Sequence, residues 1–182
     1  MTLYTIGHST RSAEELIELL RRNGVRQLVD VRAFPGSRRH PHFGLEALRA
    51  FLTAAGVTYV HSPELGGRRT PRPHAAPTAW REPGFAAYAD YMTTPEFARA
   101  IDQLLERASE RPTTIMCSEA VPWRCHRSMI SDAVVARGWD VLHILGTAVS
   151  PHALTSFAVV NGSDVRYPPE PKEQHDLPLT GA

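Results

Sequence analysis

The sequence predicts an α/β fold: a single domain whose mainly parallel sheet is flanked by helices in a Rossmann-like three-layer sandwich. Three observations lead to this prediction. Short β-prone runs alternate along the chain with segments of helical periodicity. These runs are apolar, as expected for a parallel sheet covered on both faces. A length of 182 residues suits one substantial core, and no internal repeat divides the chain.

Each predicted strand is a short apolar run bounded by turn-forming residues. The predicted strands cover residues 3–6, 27–31, 57–61, 113–117 and 141–145. Asn161-Gly162 predicts a hairpin turn within residues 157–167. We expect the domain to cover residues 1–167 and the Pro-rich segment 168–182 to form a flexible tail.

Helices are predicted in the intervals between the strands. The first begins after Ser12, which forms a capping box with Glu15, and it ends near Asn23-Gly24. The others cover residues 45–55, 85–92, 95–110 and 126–137. A long connection rich in proline and arginine spans residues 62–84, and such a connection is either a lid or binding loop or a surface insertion.

Composition and charge exclude several classes of protein. A formal net charge of +1 argues against a strongly basic nucleic-acid-binding protein. No apolar run approaches the ~18 residues of a membrane span, so no membrane partner is expected. The chain begins without a signal-peptide pattern and has two cysteines, which favours a reducing, cytoplasmic location.

The predicted topology brings distant polar residues to one edge of the sheet. In a parallel sheet the loops that follow the strands meet at the carboxyl edge, where ligands bind. The loops after the first four strands carry His8-Ser9, Arg32, Gly66-Gly67 and the segment 117–127, with Asp30 at the end of its strand. We therefore expect these residues to face a common crevice.

The segment 117–127 joins a buried strand to a helix and carries the chemistry. A helix amino end favours anions and lowers the pKa of a thiol. The predicted catalytic residues are Cys117 as the nucleophile, His126 or His8 as the acid/base, and Glu119 as the residue that orients the imidazole. The alternatives are that Cys117 is a small buried apolar residue, that His126 caps the helix, and that Glu119 forms a salt bridge with Arg124.

A second set of residues is predicted to bind an anion. The predicted substrate-binding or anion-binding residues are Ser9, Asp30, Arg32, Gly66, Gly67, Arg124, Cys125 and Arg127. Asp30 and Arg32 could form a buried ion pair, and Gly66-Gly67 could serve backbone geometry. The basic residues Arg38, Arg39, His40, His42, Arg68, Arg69 and Arg72, with the aromatic residues Trp80, Tyr88, Tyr91 and Trp123, predict either a nucleotide or single-strand platform or a solvated loop.

The motifs together resemble the DUF488 family, a domain of unknown function. The resemblance rests on Thr5-Ile6-Gly7-His8-Ser9, on Asp30-Val31-Arg32 with Pro35 and Ser37, on Leu65-Gly66-Gly67, and on Cys117-x-Glu119 followed by Cys125-His126-Arg127. It covers roughly residues 3–145. The resemblance implies the fold and the location of the site, and it implies no reaction.

Three hypotheses about function follow from these residues. The first is an enzyme, a thiol-dependent hydrolase or transferase acting on a phosphate-bearing or nucleotide-like substrate. The second is a module that binds nucleotide or nucleic acid without turnover. The third is a metal-binding protein that uses Cys117, Cys125, His126 and His8, although the Cys-x7-Cys-His spacing matches no standard zinc finger. The sequence requires no cofactor, and it favours the thiol enzyme without a metal.

Overall fold

The computed structural model describes residues 1–36 and 39–169. The strands are β1 (Thr2–Gly7), β2 (Gln27–Asp30), β3 (Thr58–His61), β4 (Thr113–Cys117), β5 (Asp140–Ile144), β6 (Val149–Pro151), β7 (Val159–Asn161) and β8 (Asp164–Arg166). The helices are α1 (Ala13–Arg22), α2 (Leu45–Ala54), α3 (Pro83–Tyr91), α4 (Pro95–Glu110) and α5 (Arg127–Val135). Ser37, Arg38 and the predicted tail from residue 170 onward lie outside the described residues.

The main sheet has six strands in the order β3-β2-β4-β1-β5-β6. The first five strands in the chain are parallel, and β6 pairs antiparallel with β5. The hairpin β7–β8 forms a separate two-stranded sheet at the predicted Asn161-Gly162 turn. The predicted single α/β domain with a mainly parallel sheet flanked by helices is confirmed.

Local sequence signals fix the ends of the elements. Ser12 and Glu15 form the predicted capping box of α1, and Gly24 adopts a φ of 65° just after the helix ends. The helix α5 is shorter than predicted, since it begins at Arg127 and ends at Val135. The strand β6 was not predicted, because three residues are too few to show a period of two.

A hydrophobic core covers each face of the sheet. One core packs β-strand residues such as Leu3 and Ile115 against α3, α4 and α5, and it includes Cys117 and Cys125. The other packs the alternate strand residues, such as Ile6, against α1 and α2. This alternation is the period-two pattern of strands buried on both faces.

The connection between β3 and α3 is packed against the domain. The Arg72 guanidinium forms two hydrogen bonds of 2.6 Å with the carboxylate of Asp90, and Trp80 stacks on Phe85 with ring centroids 4.7 Å apart. The Ala79 N–H donates to the carbonyl of Tyr167 at 2.9 Å. Within the described part of the chain, no helix is long and apolar enough to cross a membrane.

The carboxylate of Asp132 on α5 holds the carboxyl-terminal segment against the domain. It is fully buried, and its Oδ1 accepts from His152 Nε2 at 2.8 Å and from the Thr155 N–H at 3.0 Å. Its Oδ2 accepts from the hydroxyls of Thr155 and Tyr167, each at 2.7 Å. Burial pushes the pKa of Asp132 upward, but these hydrogen bonds together hold it below its ordinary value.

This network continues into the sheet through two histidines. The Nδ1 of His152 lies 3.0 Å from Nε2 of His143, and Nδ1 of His143 lies 2.7 Å from the Thr5 hydroxyl, both within hydrogen-bond distance. Burial, followed by the charges of His152 and Arg127, lowers the pKa of His143 to about 4, so His143 is a neutral imidazole near pH 7.

We predict that Asp132→Asn strongly destabilises the fold. The amide cannot accept all of these hydrogen bonds, so the free energy of unfolding should fall by about 3–5 kcal/mol. Each kcal/mol lowers the melting temperature by about 2–4 °C in a domain of this size. Thermal unfolding followed by circular dichroism measures the effect, with the exposed Asp140→Asn as the matched control. Equal melting temperatures for the two variants would contradict the prediction.

Candidate functional site

The predicted crevice lies at the carboxyl edge of the sheet and encloses about 400 Å³. Its wall is formed by the loops after β1, β2, β3 and β4 and by the start of α3. The predicted residues that line it are His8, Arg32, Gly67, Cys117, Glu119, Arg124, Cys125 and His126. Ser9, Asp30, Gly66 and Arg127 do not line it.

Two hydrogen bonds continue the pairing of β1 and β4 beyond the strands. The N–H of His8 donates to the carbonyl of Cys117 at 2.9 Å, and the N–H of Ser9 donates to the carbonyl of Ser118 at 3.0 Å. A glycine is required at position 7, just before these two residues, since a Cβ there would lie 1.8 Å from the carbonyl oxygen of Glu119. The backbone therefore places His8 beside the Cys117 end of β4.

Asp30 and Arg32 form the buried ion pair that the sequence suggested. Arg32 Nε donates to Asp30 Oδ1 at 2.8 Å, and NH2 donates to Oδ2 at 2.6 Å. The Tyr59 hydroxyl and the Arg32 N–H also donate to this carboxylate. All of these donors belong to the protein, so the Asp30 carboxylate is not left for a ligand. It fixes the guanidinium of Arg32 at the wall of the crevice.

His8 is held as a neutral imidazole. Its Nδ1 donates to the carbonyl of Ser9 at 3.0 Å, which leaves Nε2 to accept from Arg32 NH1 at 3.3 Å. Its ring stacks on Phe43 with centroids 4.2 Å apart. Burial and then the charge of Arg32 lower the pKa of His8 to about 4. His8 can act as a base only after Arg32 moves away from Nε2.

His126 is oriented by the backbone of a neighbouring strand. Its Nε2 donates to the carbonyl of Val31 at 3.1 Å, so Nδ1 is an acceptor, and Nδ1 lies 3.6 Å from Cys125 Sγ. Gly67 packs directly on the ring, since a Cβ at this position would lie 2.4 Å from Nδ1. Gly66 similarly packs against Ala33, since a Cβ at this position would lie 2.9 Å from Ala33 Cα. Both glycines serve backbone geometry at this edge.

The two thiols differ in their surroundings, and the guanidinium of Arg127 beside Cys125 Sγ favours the charged form of Cys125. The hydrogen bond from the Cys117 thiol, followed by the charge and N–H groups of Arg127, lowers the pKa of Cys125 to about 6 despite burial. The same hydrogen bond, together with burial, raises the pKa of Cys117 to about 12. Cys125 therefore has the lower pKa of the two thiols, although the sequence suggested Cys117 as the nucleophile.

Arg127 explains why a thiolate is stable in this interior. Its side chain is 1% exposed, and its Nε donates to Cys125 Sγ at 3.5 Å. Its NH2 donates to the carbonyl of Glu119. Among residues 1–36 and 39–169, no carboxylate lies within 4.0 Å of this guanidinium. A buried cation needs a compensating negative charge, and the sulfur of Cys125 is placed to supply it.

The same sulfur and nitrogen atoms could also hold a metal ion. Cys117 Sγ, Cys125 Sγ and one nitrogen of His126 lie within 4.8 Å of one another. Tetrahedral zinc with Zn–S of about 2.3 Å and Zn–N of about 2.0–2.1 Å places sulfur and nitrogen about 3.5 Å apart, close to the 3.6 Å between Cys125 Sγ and His126 Nδ1. His8, the fourth ligand that the sequence suggested, is not part of this group.

Several predicted residues lie apart from the sulfur atoms. The side chain of Glu119 is exposed, and within the described residues it pairs with neither His126 nor Arg124. Of the predicted basic residues, Arg69 donates to the carbonyl of Gly66 and lies over the ring of Tyr91, while Arg72 is bound to Asp90. Arg68 and the exposed Arg124 remain at the crevice.

Residues 12–134, more than half of the chain, match the family described as "Domain of unknown function DUF488". The chain belongs to the DUF488 family. The matched span contains β2, β3, β4 and all but the last residue of α5, and so it includes both cysteines and Arg127. His8 and Ser9 precede it. Neither a curated protein nor a solved structure matches the chain.

Sequence reasoning missed part of this DUF488 site. Phe34, Glu82 and Phe85 line the crevice, and no motif marked them. Phe34 lies in the irregular loop after β2, close in sequence to the predicted site residue Arg32. Only this position in the sequence could have indicated a role for Phe34. The network of Asp132, His143 and His152 was also missed, because isolated histidines and aspartates carry no spacing signal.

We predict that acid destabilises the DUF488 domain through His8. A histidine whose pKa is lowered on folding takes up a proton in the unfolded state first, so stability falls as the pH drops from about 6.5 toward 4. His8→Gln should reduce this dependence by up to about 1.4 kcal/mol per pH unit. Urea unfolding between pH 7 and pH 4 measures it, with the exposed His74→Gln as the control. The same slope in His8→Gln and the natural chain would contradict the prediction.

Proposed function

We propose that this DUF488 protein is a thiol-dependent hydrolase or transferase that binds a phosphate-bearing substrate in the crevice, with Cys125 as the nucleophile. One observation carries the proposal: the buried guanidinium of Arg127 contacts the sulfur of Cys125, with no carboxylate within 4.0 Å in the described part of the chain. A thiolate is the nucleophilic form of cysteine, and a neighbouring cation favours it.

The surroundings of Cys125 give each neighbour a role in this proposal. Cys117 keeps its proton and donates a hydrogen bond to the thiolate, while the Arg127 guanidinium balances the charge. His126 presents the lone pair of Nδ1 to the same sulfur, because its Nε2 is bound to Val31. His126 is thus suited to receive a proton from Cys125, as the base of a cysteine nucleophile does.

The arginines at the crevice support binding of a phosphate group. Arg124 and Arg68 line it, and both are exposed, so their guanidinium groups can turn toward a ligand. Guanidinium groups bind phosphate oxygens bidentately. Arg32 supports the site from the opposite wall but stays paired with Asp30. A substrate phosphate held by Arg124 would lie next to the sulfur, since both residues belong to the short segment before α5.

The chemical step follows from these positions. The sulfur of Cys125 forms a bond to an electrophilic atom of the bound substrate, and the bond from that atom to its leaving group breaks. The leaving group takes the electron pair and the proton that His126 received from Cys125. Attack by water on the sulfur-linked intermediate then completes hydrolysis, and attack by another acceptor completes transfer. Binding without turnover would not need a buried thiolate, which is why we favour an enzyme.

A metal centre is the second candidate function. The close approach of Cys117 Sγ, Cys125 Sγ and His126 favours it. In that case the metal would bind both sulfur atoms and leave a position open toward the crevice, as catalytic zinc sites do. Neither cysteine would then be free to attack a substrate.

We predict that iodoacetamide labels Cys125 with a half-maximal rate near pH 6, well below the value of about 8.5 for an ordinary thiol. Cys117→Ser keeps a hydroxyl donor and should preserve this pH profile. Cys117→Ala removes the donor, so the profile should move to higher pH. Mass spectrometry of labelled peptides between pH 5 and pH 9 measures both effects.

Two outcomes would count against the thiolate. Labelling of Cys125 only after unfolding, or at the same rate as a peptide thiol, would remove the nucleophile. Stoichiometric zinc in protein purified without chelator, with rapid labelling only after the metal is removed, would instead support the metal centre. Cys125→Ser serves as the control, because it should abolish the labelling that begins near pH 6.

A further inference from the structure

We infer that the crevice binds one nucleotide, with the base against Phe34 and the phosphate at the Cys125 end. This inference rests on the proposed function, because it assigns the substrate class of the same site. The wall of the crevice combines two kinds of group. Sulfur, imidazole and guanidinium groups line it together with the aromatic rings of Phe34 and Phe85.

The side chain of Phe34 is largely exposed. It is 72% exposed, although it forms part of the wall of a cavity. A single exposed apolar residue is ordinary on a protein surface. Phe34, however, directly follows two anchored residues: Arg32 is bound to Asp30, and Ala33 packs against Gly66. Its backbone is therefore held while its ring is left for a ligand.

A guanidinium lies near the ring of Phe34. Arg68 Cζ is 5.9 Å from the ring centroid, and Arg68 lines the same cavity. An aromatic ring beside a guanidinium forms the stacking platform on which proteins bind nucleobases. The same arginine can also approach a phosphate, so it can contact both ends of one nucleotide.

Two carboxylates in the wall can accept hydrogen bonds from the N–H groups of a nucleobase, whereas a plain benzene ring has no such donors. Glu82 and Glu119 both line the crevice and are exposed. One oxygen of Glu82 accepts from the Phe85 N–H at 2.9 Å, and its other oxygen can accept from a ligand. Nucleobases carry N–H donors in the plane of the ring, whereas the ring of phosphotyrosine carries none. The cavity of about 400 Å³ falls at the small end of ligand sites, which suits one nucleotide unit.

Calorimetric titration of the full chain tests this inference. The probes are inorganic phosphate, ribose 5-phosphate, phosphotyrosine, the four ribonucleoside 5′-monophosphates and a 5′-phosphorylated tetranucleotide. We expect at least one mononucleotide to bind about tenfold or more tightly than ribose 5-phosphate. Phe34→Ala should weaken that binding by about 5- to 30-fold and leave ribose 5-phosphate unchanged. Trp123→Ala is the matched control, because Trp123 is 63% exposed but does not line this cavity.

The outcomes separate this inference from the proposed function. Equal affinity for ribose 5-phosphate and all four mononucleotides, equal affinity for phosphotyrosine, or no effect of Phe34→Ala would overturn the base site while leaving the phosphate site intact. No binding of any phosphate compound would overturn both. Tight binding of the tetranucleotide would support the end of a strand as the natural source of the nucleotide, and weaker binding than the mononucleotide would support a free nucleotide.

Discussion

The contact between Arg127 and Cys125 is the interaction on which the site depends. A guanidinium that is 1% exposed cannot lose its charge near pH 7, so the fold must place an anion or several dipoles beside it. The carbonyl of Glu119 and the sulfur of Cys125 meet this need. The Cys117 thiol and this cation together lower the pKa of Cys125, whereas the pKa of Cys117 is raised.

Close backbone contacts keep these groups at their distances. Gly7 allows the end of β1 to touch the carbonyl of Glu119, and that carbonyl is the one that Arg127 binds. Gly67 allows the loop after β3 to touch His126, whose other nitrogen is held by Val31 at the end of β2. Four loops thus constrain one cluster through main-chain atoms. A side chain larger than hydrogen at either glycine would push the cluster apart, so the two glycines are part of the site although neither can react.

The fold could be predicted from the sequence because its signals are local and repeated. Apolar runs of four to six residues, helical periodicity and the capping box of Ser12 and Glu15 each specify an element without reference to the rest of the chain. The position of the crevice followed from topology, since parallel strands bring their following loops to one edge. The assignment of the charge to Cys125 could not be predicted, because it depends on distances to Arg127 and Cys117 that no spacing encodes. The neutral state of His8 likewise depends on its burial and on Arg32, which is 24 residues away.

The helix α5 connects the chemistry of the site to the stability of the domain. Its first residue, Arg127, compensates the thiolate, and five residues later Asp132 binds His152, Thr155 and Tyr167. The positive charge of Arg127 also lowers the pKa of His143, which continues the Asp132 network to Thr5 in β1. Both charged groups are buried; Arg127 contacts nearby residues in the loop before α5, whereas Asp132 is bound by residues 20 to 35 positions further along the chain. A helix held at both points cannot rotate or slide without leaving a buried charge unpaired, which costs several kcal/mol. The polar network therefore keeps Arg127 in register with Cys125.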